Sequence, residues 1–289
     1  MRAPSTVGSL ARACHPGPTV VVTSLATAYA IALVVGDDAG QSVARVLLIT
    51  TTVLVGQLSI GWSNDWIDAA RDRATQRRDK PVAMGAIGDL TLRNAAFGAL
   101  ALAVALSFAN GLRAGLFHLL VIGGGWAYNL GLKATIVSWV PYAVAFGALP
   151  VFVWLSIDSP AAAALPPWWT WVGTALLGVG AHVSNVVPDI DDDVAHGVRG
   201  FPQRLGARGC ALLAPLLLVA GSAVALLGPD RPWTWIDTVV AIAVVGLALF
   251  AGVVSGIPGR VRLAFTATLV IAGLVVVALV VGTAQEVLG

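Results

Sequence analysis

Nine long apolar stretches, separated by short polar segments, constrain this chain more than any other feature. Each is about 17–25 residues long, the length that an α-helix needs to cross a hydrocarbon core of roughly 30 Å. Lipid offers no partner for an unpaired backbone group, and the alternation typical of barrel strands is missing, so we expect helices throughout. The predicted spans are residues 19–35, 47–63, 94–110, 114–130, 134–157, 168–187, 209–228, 238–256 and 263–283.

The composition agrees with this reading, because 57% of the residues are hydrophobic and only 11% are charged. Soluble domains carry roughly 25% charged residues. We therefore predict an all-α polytopic membrane protein with nine transmembrane helices and the lipid bilayer around it. Residues 1–289 are expected to form one domain, with 1–18 as a short N-terminal tail. The net charge of +2 and the lack of a basic stripe argue against a nucleic-acid partner, and nothing indicates a protein partner.

Lysine and arginine are distributed unevenly between the two sides that nine spans create. Fourteen of the 17 fall in the N-terminal tail and in the loops after spans 2, 4, 6 and 8, which leaves only Arg45, Arg113 and Arg231 on the other side. By the positive-inside rule, the N-terminus and those loops are predicted to be cytoplasmic, in a cell-membrane protein. One span more or fewer would mix the two sets.

The first acidic cluster follows the second span and contains Asn64, Asp65, Asp68 and Asp72. In a helix, the three carboxylates would share one face, because they are three and four residues apart. Such a face repels itself unless a cation lies against it, and a divalent metal ion is the simplest candidate. The alternative interpretation is a solvated acidic loop between two membrane helices.

The second acidic cluster follows the sixth span, on the same predicted side. Asp189 and Asp193 are spaced i and i+4, and Asp192 lies one turn after Asp189. An asparagine precedes each cluster at similar spacing (Asn64 and Asn185), which is consistent with two related halves. If the halves face each other, their carboxylates would oppose one another across a central apolar cavity. Mg²⁺ bridging carboxylates to a diphosphate would suit that arrangement, and nearby basic residues could hold the remaining phosphate oxygens.

Four segments of the chain resemble the UbiA-type intramembrane prenyltransferases, in the order found in that family. Residues 64–72 resemble the first aspartate signature, and 77–85 resemble the basic-Pro-x-x-x-Gly segment that follows it. Residues 128–133 resemble the tyrosine-to-lysine segment, and 189–206 resemble the second aspartate signature with its tail. Two departures concern Lys80, where arginine is common, and Gly200-Phe201, where a Thr/Ser-Leu pair is common. Neither removes a metal ligand, so they bear on the choice of acceptor.

The resemblance implies Mg²⁺-dependent transfer of a prenyl group from an allylic isoprenyl diphosphate to a membrane-accessible acceptor, most often aromatic or a quinone precursor. It implies two Mg²⁺ ions and the following residues. The metal ligands would be Asn64, Asp65, Asp68 and Asp72 at one ion and Asp189, Asp192 and Asp193 at the other, with Asp68, Asp72, Asp189 and Asp193 as catalytic residues. The diphosphate would be held by Arg78, Lys80, Tyr128 and Lys133.

Two other functions are compatible with the same clusters. An intramembrane terpene cyclase would ionise the same diphosphate and quench the cation with the substrate's own double bond. A carrier or binding protein for lipid diphosphates would bind diphosphate with Mg²⁺ and release no pyrophosphate. An ion-driven transporter is disfavoured, because no acidic residue lies in the middle of a predicted span.

Overall fold

The computed structural model describes residues 5–35, 43–77, 79–157, 160–195, 197–255, 257, 260, 263–264, 266–268, 270–275 and 277–278. This part of the chain is all-helical and contains no strand. Its ten α-helices are α1 (Thr6–Ala13), α2 (Pro16–Val35), α3 (Val43–Ala74), α4 (Asp89–Ala109), α5 (Leu112–Leu130), α6 (Val140–Leu155), α7 (Trp168–Val186), α8 (Ile190–Ala195), α9 (Phe201–Leu227) and α10 (Trp235–Ser255).

Five of the described helices are long and apolar enough to cross a membrane, namely α2, α3, α4, α9 and α10. The protein is therefore a multi-pass membrane protein. The first eight predicted spans each overlap one helix from α2 to α7, α9 or α10. The ninth predicted span, 263–283, is described only in part, and its residues from 279 onward lie outside the described residues.

Helix α3 differs most from its predicted span, because it continues past residue 63 to Ala74 and carries the whole first acidic cluster. Helix α6 begins at Val140, later than the predicted residue 134. Gly131 has a φ of 147°, which an L-residue rarely adopts, and it ends α5. Pro141 then lies in the first turn of α6, where its missing N–H costs nothing. Lys133 consequently lies in a turn between the two helices, in a 3₁₀ segment at Leu132–Ala134.

The predicted N-terminal tail contains a folded helix, α1. The Ser5 side chain caps it by accepting a hydrogen bond from the Gly8 backbone N–H at 3.2 Å. Trp62 of α3 donates its indole N–H to the Leu10 carbonyl at 2.9 Å. Ala13 is fully buried in a cluster that includes Ala69 of α3 and Val82 of the following loop. The helix thus packs on the part of α3 that leads into the acidic cluster.

A first prediction concerns Gly61, where α3 meets the junction between α1 and α2. A Cβ at Gly61 would lie 2.4 Å from the Cys14 carbonyl oxygen and 2.8 Å from the Cys14 Cα. Because backbone atoms cannot rotate away, we expect Gly61→Ala to push the junction off α3 at a cost of about 1–3 kcal/mol. The measurement is the Tm of the purified protein in detergent, read out by fluorescence-detected size exclusion after heating.

Gly98→Ala is the matched control for this prediction. Gly98 also lies within a long helix, α4, and a Cβ there has no neighbour within 4 Å. Both substitutions make the same gain in helix propensity, so the Tm difference between them isolates the steric contact. Equal Tm values for the two variants would contradict the close approach at Cys14.

Candidate functional site

The first acidic cluster lies on one buried face near the C-terminal end of α3. Asp65, Asp68 and Asp72 are exposed by only 0%, 9% and 3%. The predicted helix is therefore present, and the alternative of a solvated loop does not describe this segment. Three carboxylates buried side by side need compensating charge, since like charges at this spacing destabilise one another.

The compensating cations come from the chain itself. The Lys80 Nζ lies 2.5 Å from Asp65 Oδ1. The Lys133 Nζ lies 2.5 Å and 2.6 Å from the two oxygens of Asp68, and Arg71 reaches Asp68 Oδ2 at 3.0 Å. Burial lowers the pKa of Lys133, and the Asp68 carboxylate partly offsets this effect. Lys80 and Lys133 are both predicted to bind the diphosphate. In this structure they form ion pairs with Asp65 and Asp68, which are both predicted to bind metal.

His15 is a further member of this group. Its Nε2 lies 2.9 Å from Asp65 Oδ1 and 3.0 Å from Lys80 Nζ. His15 has no predicted role, because it lies 50 residues from Asp65 in a segment expected to be a tail. No local spacing connects the two residues, and the packing of the α1–α2 junction on α3 brings them together.

The Asn64 amide is fixed by a residue on α5. Its Nδ2 donates to Asn129 Oδ1 at 3.0 Å. Asn129 in turn donates from its Nδ2 to the Ile60 carbonyl at 2.9 Å and to Ser63 Oγ at 2.8 Å. Asn129 is 3% exposed. It lies inside the segment 128–133 that carried the family resemblance, yet it was not among the predicted site residues.

The second acidic cluster begins where α7 ends. Asp189 closes a 3₁₀ segment, Val187–Asp189, and Asp193 lies in α8, which continues it. Asp193 is partly buried and accepts a hydrogen bond from Gln203 Nε2 at 2.8 Å. Asp189 is exposed. The predicted ligand Arg78 and the side chain of Asp192 lie outside the described residues.

Tyr128 connects the two clusters. It lies at the C-terminal end of α5, within electrostatic range of Asp68 on α3 and Asp193 on α8. Its ring packs edge-on against Tyr142 at a centroid distance of 5.2 Å and against His182 at 5.5 Å. Tyr128 of α5 therefore packs against α6 and α7 and lies near one carboxylate of each signature.

Arg77 makes a second connection, from the loop after α3. It forms a bidentate pair with Asp79, with N–O distances of 2.9 Å and 2.8 Å. This pair lowers the pKa of Asp79 to about 2, so the carboxylate stays ionised above that pH. Arg77 also lies within electrostatic range of Asp72 and of Asp189. The guanidinium that pairs with Asp79 thus also lies near one aspartate of each cluster.

The segment after the second cluster packs directly on the Lys133 turn. A Cβ at Gly200 would lie 2.3 Å from the Lys133 carbonyl oxygen and 2.7 Å from Gln203 Oε1. The Phe201 backbone N–H donates to Ser138 Oγ at 3.0 Å. The departure at Gly200 thus has a structural reason, since no side chain fits between Lys133 and Gln203. Gly200 therefore lies between Lys133, which pairs with Asp68, and Gln203. Gln203 is the residue that donates to Asp193.

Unsatisfied oxygens in the first cluster fit a bound cation. Among the described residues, neither Asp65 Oδ2 nor Asp72 Oδ2 has a hydrogen-bond partner, although both are buried. Buried polar atoms are normally satisfied, and Mg²⁺ takes oxygen ligands of this kind. Within the same residues, no three His, Cys, Asp or Glu side chains converge closely enough to hold an ion. Instead, Lys80 contacts Oδ1 of Asp65, and Lys133 contacts both carboxylate oxygens of Asp68.

Comparison with known families gives the same assignment as the motifs. The model of the UbiA prenyltransferase family matches residues 21–258. The chain belongs to this family. The match includes all four segments that resemble UbiA signatures, so the recognition made from the sequence is confirmed. No curated protein matches the sequence significantly.

Solved structures of UbiA homologues share the fold. One from Aeropyrum pernix K1 in the apo state is 19% identical, with a TM-score of 0.72 over 91% of this chain and 98% of its own. One from Archaeoglobus fulgidus bound to DMAPP and Mg²⁺ is 17% identical, with a TM-score of 0.70 over 97% and 99%. A digeranylgeranylglyceryl phosphate synthase structure is 14% identical, with a TM-score of 0.69 over 96% and 99%. These likenesses establish a UbiA-like fold for the chain.

Proposed function

We propose that this protein transfers a prenyl group from an allylic isoprenyl diphosphate to a membrane-accessible acceptor, in a Mg²⁺-dependent reaction that releases diphosphate. The observation that carries the proposal is the set of buried carboxylates in the first aspartate signature, two of which pair with lysines. Membership of the UbiA family supports it. So does the fold shared with homologues bound to DMAPP or GPP together with Mg²⁺.

Two metal sites are part of the proposal, with the ligands expected from the sequence. When bound, the metal ions would neutralise the negative charge that develops on the departing diphosphate. One ion would be held by Asn64, Asp65, Asp68 and Asp72, and the other by Asp189, Asp192 and Asp193. The unpartnered oxygens of Asp65 and Asp72 support the first site.

The basic residues have a second role in this proposal. Lys80 and Lys133 each lie on a carboxylate assigned to metal binding, so both ammonium groups are within reach of an anion held between the clusters. An ammonium group hydrogen-bonded to phosphate oxygens is a strong, charge-assisted interaction. The Tyr128 hydroxyl, which lies near Asp68 and Asp193, is assigned to the same anion, as is Arg78 by its position in the basic segment.

The apolar bundle supplies what the carbocation needs. Heterolysis of an allylic C–O bond separates charge, and the fixed cations stabilise the leaving group. Water must then be kept from the allylic cation until the acceptor attacks. The rings of Tyr128, Tyr142 and His182 pack against one another beside the proposed site, and we assign this exclusion of water to them and to the apolar helices around them. An aromatic or quinone-precursor acceptor is the class we propose.

The proposed topology has nine spans in one domain covering residues 1–289, with the N-terminus and both acidic clusters on the cytoplasmic side of the cell membrane. Its support is the distribution of basic residues, of which only Arg45, Arg113 and Arg231 would lie outside. Both aspartate signatures then face the aqueous compartment from which a soluble metal ion arrives.

A direct test uses the purified full chain, a radiolabelled isoprenyl diphosphate and a panel of aromatic acceptors. We expect pyrophosphate release and a prenylated acceptor only when Mg²⁺ is present. EDTA should abolish both, and added Mg²⁺ should restore them, since the proposed cation stabilisation depends on the metal. Measurements are pyrophosphate release and chromatography of the labelled product.

The alternatives predict different outcomes in the same assay. A labelled hydrocarbon or alcohol formed without any acceptor would identify a terpene cyclase and contradict the transferase. Binding of the diphosphate with Mg²⁺, but without pyrophosphate release under any condition, would identify a carrier and contradict both enzymes.

A further inference from the structure

His15 is a histidine at the proposed active site that lies outside both aspartate signatures. Its Nε2 contacts the same oxygen of Asp65 that Lys80 contacts, at 2.9 Å and 2.5 Å respectively. Asp65 is fully buried, and its other oxygen, Oδ2, has no hydrogen-bond partner among the described residues. Two groups therefore hold Oδ1 while Oδ2 is left for another ligand.

The backbone at His15 is in an unfavourable conformation for a residue with a Cβ. Its φ is 54°, in the left-handed region that glycine adopts most readily. The junction between α1 and α2 is held there from both sides. Ser9 Oγ donates to the Ala86 carbonyl at 3.3 Å, and Thr19 Oγ1 donates to the Cys14 carbonyl at 2.7 Å. A strained residue held against a buried carboxylate is an observation from which a functional role can be inferred.

We infer that His15 is a positioning residue, which orients the Asp65 carboxylate for the first metal site and holds its Oδ1 when Lys80 turns to the diphosphate. This inference rests on the proposed function. A single ring nitrogen cannot donate to Asp65 and accept from Lys80 at the same time. With Lys80 on Asp65, the imidazole lies beside an ion pair that is already formed. Once the ammonium has moved to a phosphate oxygen, the Nε2–H is the remaining described donor to Asp65 Oδ1.

The junction between α1 and α2 would thereby become part of the active site. Residues that hydrogen-bond to a metal ligand, without touching the metal, typically change metal affinity by about 10–100-fold when they are removed. We expect a change of this size at His15, with Asp65 itself left in place. The conservative replacement is glutamine, whose amide N–H₂ can donate to Asp65 Oδ1 from a similar distance along the side chain.

The test measures metal binding separately from turnover. Free Mn²⁺ is titrated by electron paramagnetic resonance against the purified full chain without diphosphate, because Mn²⁺ accepts the same oxygen ligands as Mg²⁺. His15→Gly removes the imidazole while suiting the left-handed backbone, so it is expected to fold. We expect about 10–100-fold weaker Mn²⁺ binding for His15→Gly. His15→Gln should stay within about threefold of the wild type, since it keeps the donor.

Steady-state kinetics add a second measurement on the same variants. His15→Gly should raise the KM for the prenyl diphosphate more than it lowers kcat, because Lys80 and the metal both act on bound diphosphate. Gly17→Ala, two residues away in α2, is the matched control, since a Cβ there has no neighbour within 4 Å. It should leave both Mn²⁺ affinity and KM unchanged.

Three results would overturn the inference. Wild-type Mn²⁺ affinity in His15→Gly would show that His15 serves only the α1–α2 junction. Equally weak binding in His15→Gln and His15→Gly would show that the donor is not what matters. If the wild-type chain neither binds Mn²⁺ nor releases pyrophosphate, the proposed function fails and this inference fails with it. The first two results differ from this one, because in them the wild-type chain still binds Mn²⁺ and only the His15 variants depart from expectation.

Discussion

Asp68→Ala is expected to lower Mg²⁺-dependent pyrophosphate release by about 10³-fold or more, while the protein stays folded in the membrane. Metal ions contribute several kcal/mol to the stabilisation of a leaving group. A loss of about 4 kcal/mol corresponds to about 10³-fold in rate. Asp68 is paired with two cations, since Lys133 and Arg71 both contact its carboxylate. Its removal would disturb both the proposed metal site and the position of Lys133.

The measurement is the rate of pyrophosphate release at saturating Mg²⁺, with folding followed by size exclusion and Tm. Asp189→Ala should cause a loss of similar size if the second cluster holds its own ion. Asp89→Ala is the matched control, since Asp89 forms an exposed pair with Arg73 at the start of α4. Exposed pairs contribute little, so we expect activity within about twofold of the wild type. Full activity in Asp68→Ala or Asp189→Ala would contradict the two-cluster assignment.

The helices and the first signature could be predicted from the sequence because both depend on local spacing. A span needs a long apolar run, and three aspartates three and four residues apart must share a helix face. The extension of α3 to Ala74 follows from the same logic, since no proline or glycine interrupts residues 62–74. Lys133 was expected between two spans, and Gly131 and Pro141 give it a wider turn than the apolar pattern indicated.

Contacts between distant segments could not be predicted in this way. His15 meets Asp65 across 50 residues, and Asn64 meets Asn129 across 65. Neither pair has a spacing that a periodic pattern could reveal, because the packing of α1 and α5 on α3 sets both distances. Gln203 is a similar case, since the fold of the segment after α8 turns it toward Asp193. Each of these residues acts on a predicted ligand through a hydrogen bond and has no place in the acidic pattern itself.

Lys133→Met is expected to have opposite effects on metal binding and on turnover. The Lys133 ammonium lies 2.5 Å and 2.6 Å from the two oxygens of Asp68, and its side chain is only 14% exposed. A metal ion that binds Asp68 must displace this ammonium, so removing it should strengthen Mn²⁺ binding in the absence of diphosphate. Methionine keeps a long apolar stem without the charge.

Turnover should fall in the same variant, because the diphosphate loses a cation. A hydrogen bond to a charged group is worth about 1.5–3 kcal/mol, which corresponds to about 10–100-fold in rate. Arg73→Met is the matched control, since Arg73 is an exposed cation that pairs with Asp89 and is not assigned to the site. It should change neither Mn²⁺ affinity nor kcat/KM by more than about twofold.

The sign of the change in metal affinity makes Lys133→Met the sharper test of the site. Asp68→Ala and Lys133→Met should both reduce turnover, as would any change that damaged the fold. If Lys133 competes with the metal for Asp68, Mn²⁺ binding should be weaker in Asp68→Ala and tighter in Lys133→Met. General damage to the fold would not produce this pair of opposite changes. Mn²⁺ binding in Lys133→Met that is unchanged or weaker would mean that Asp68 is not a metal ligand, or that its pairing with Lys133 does not persist in the membrane.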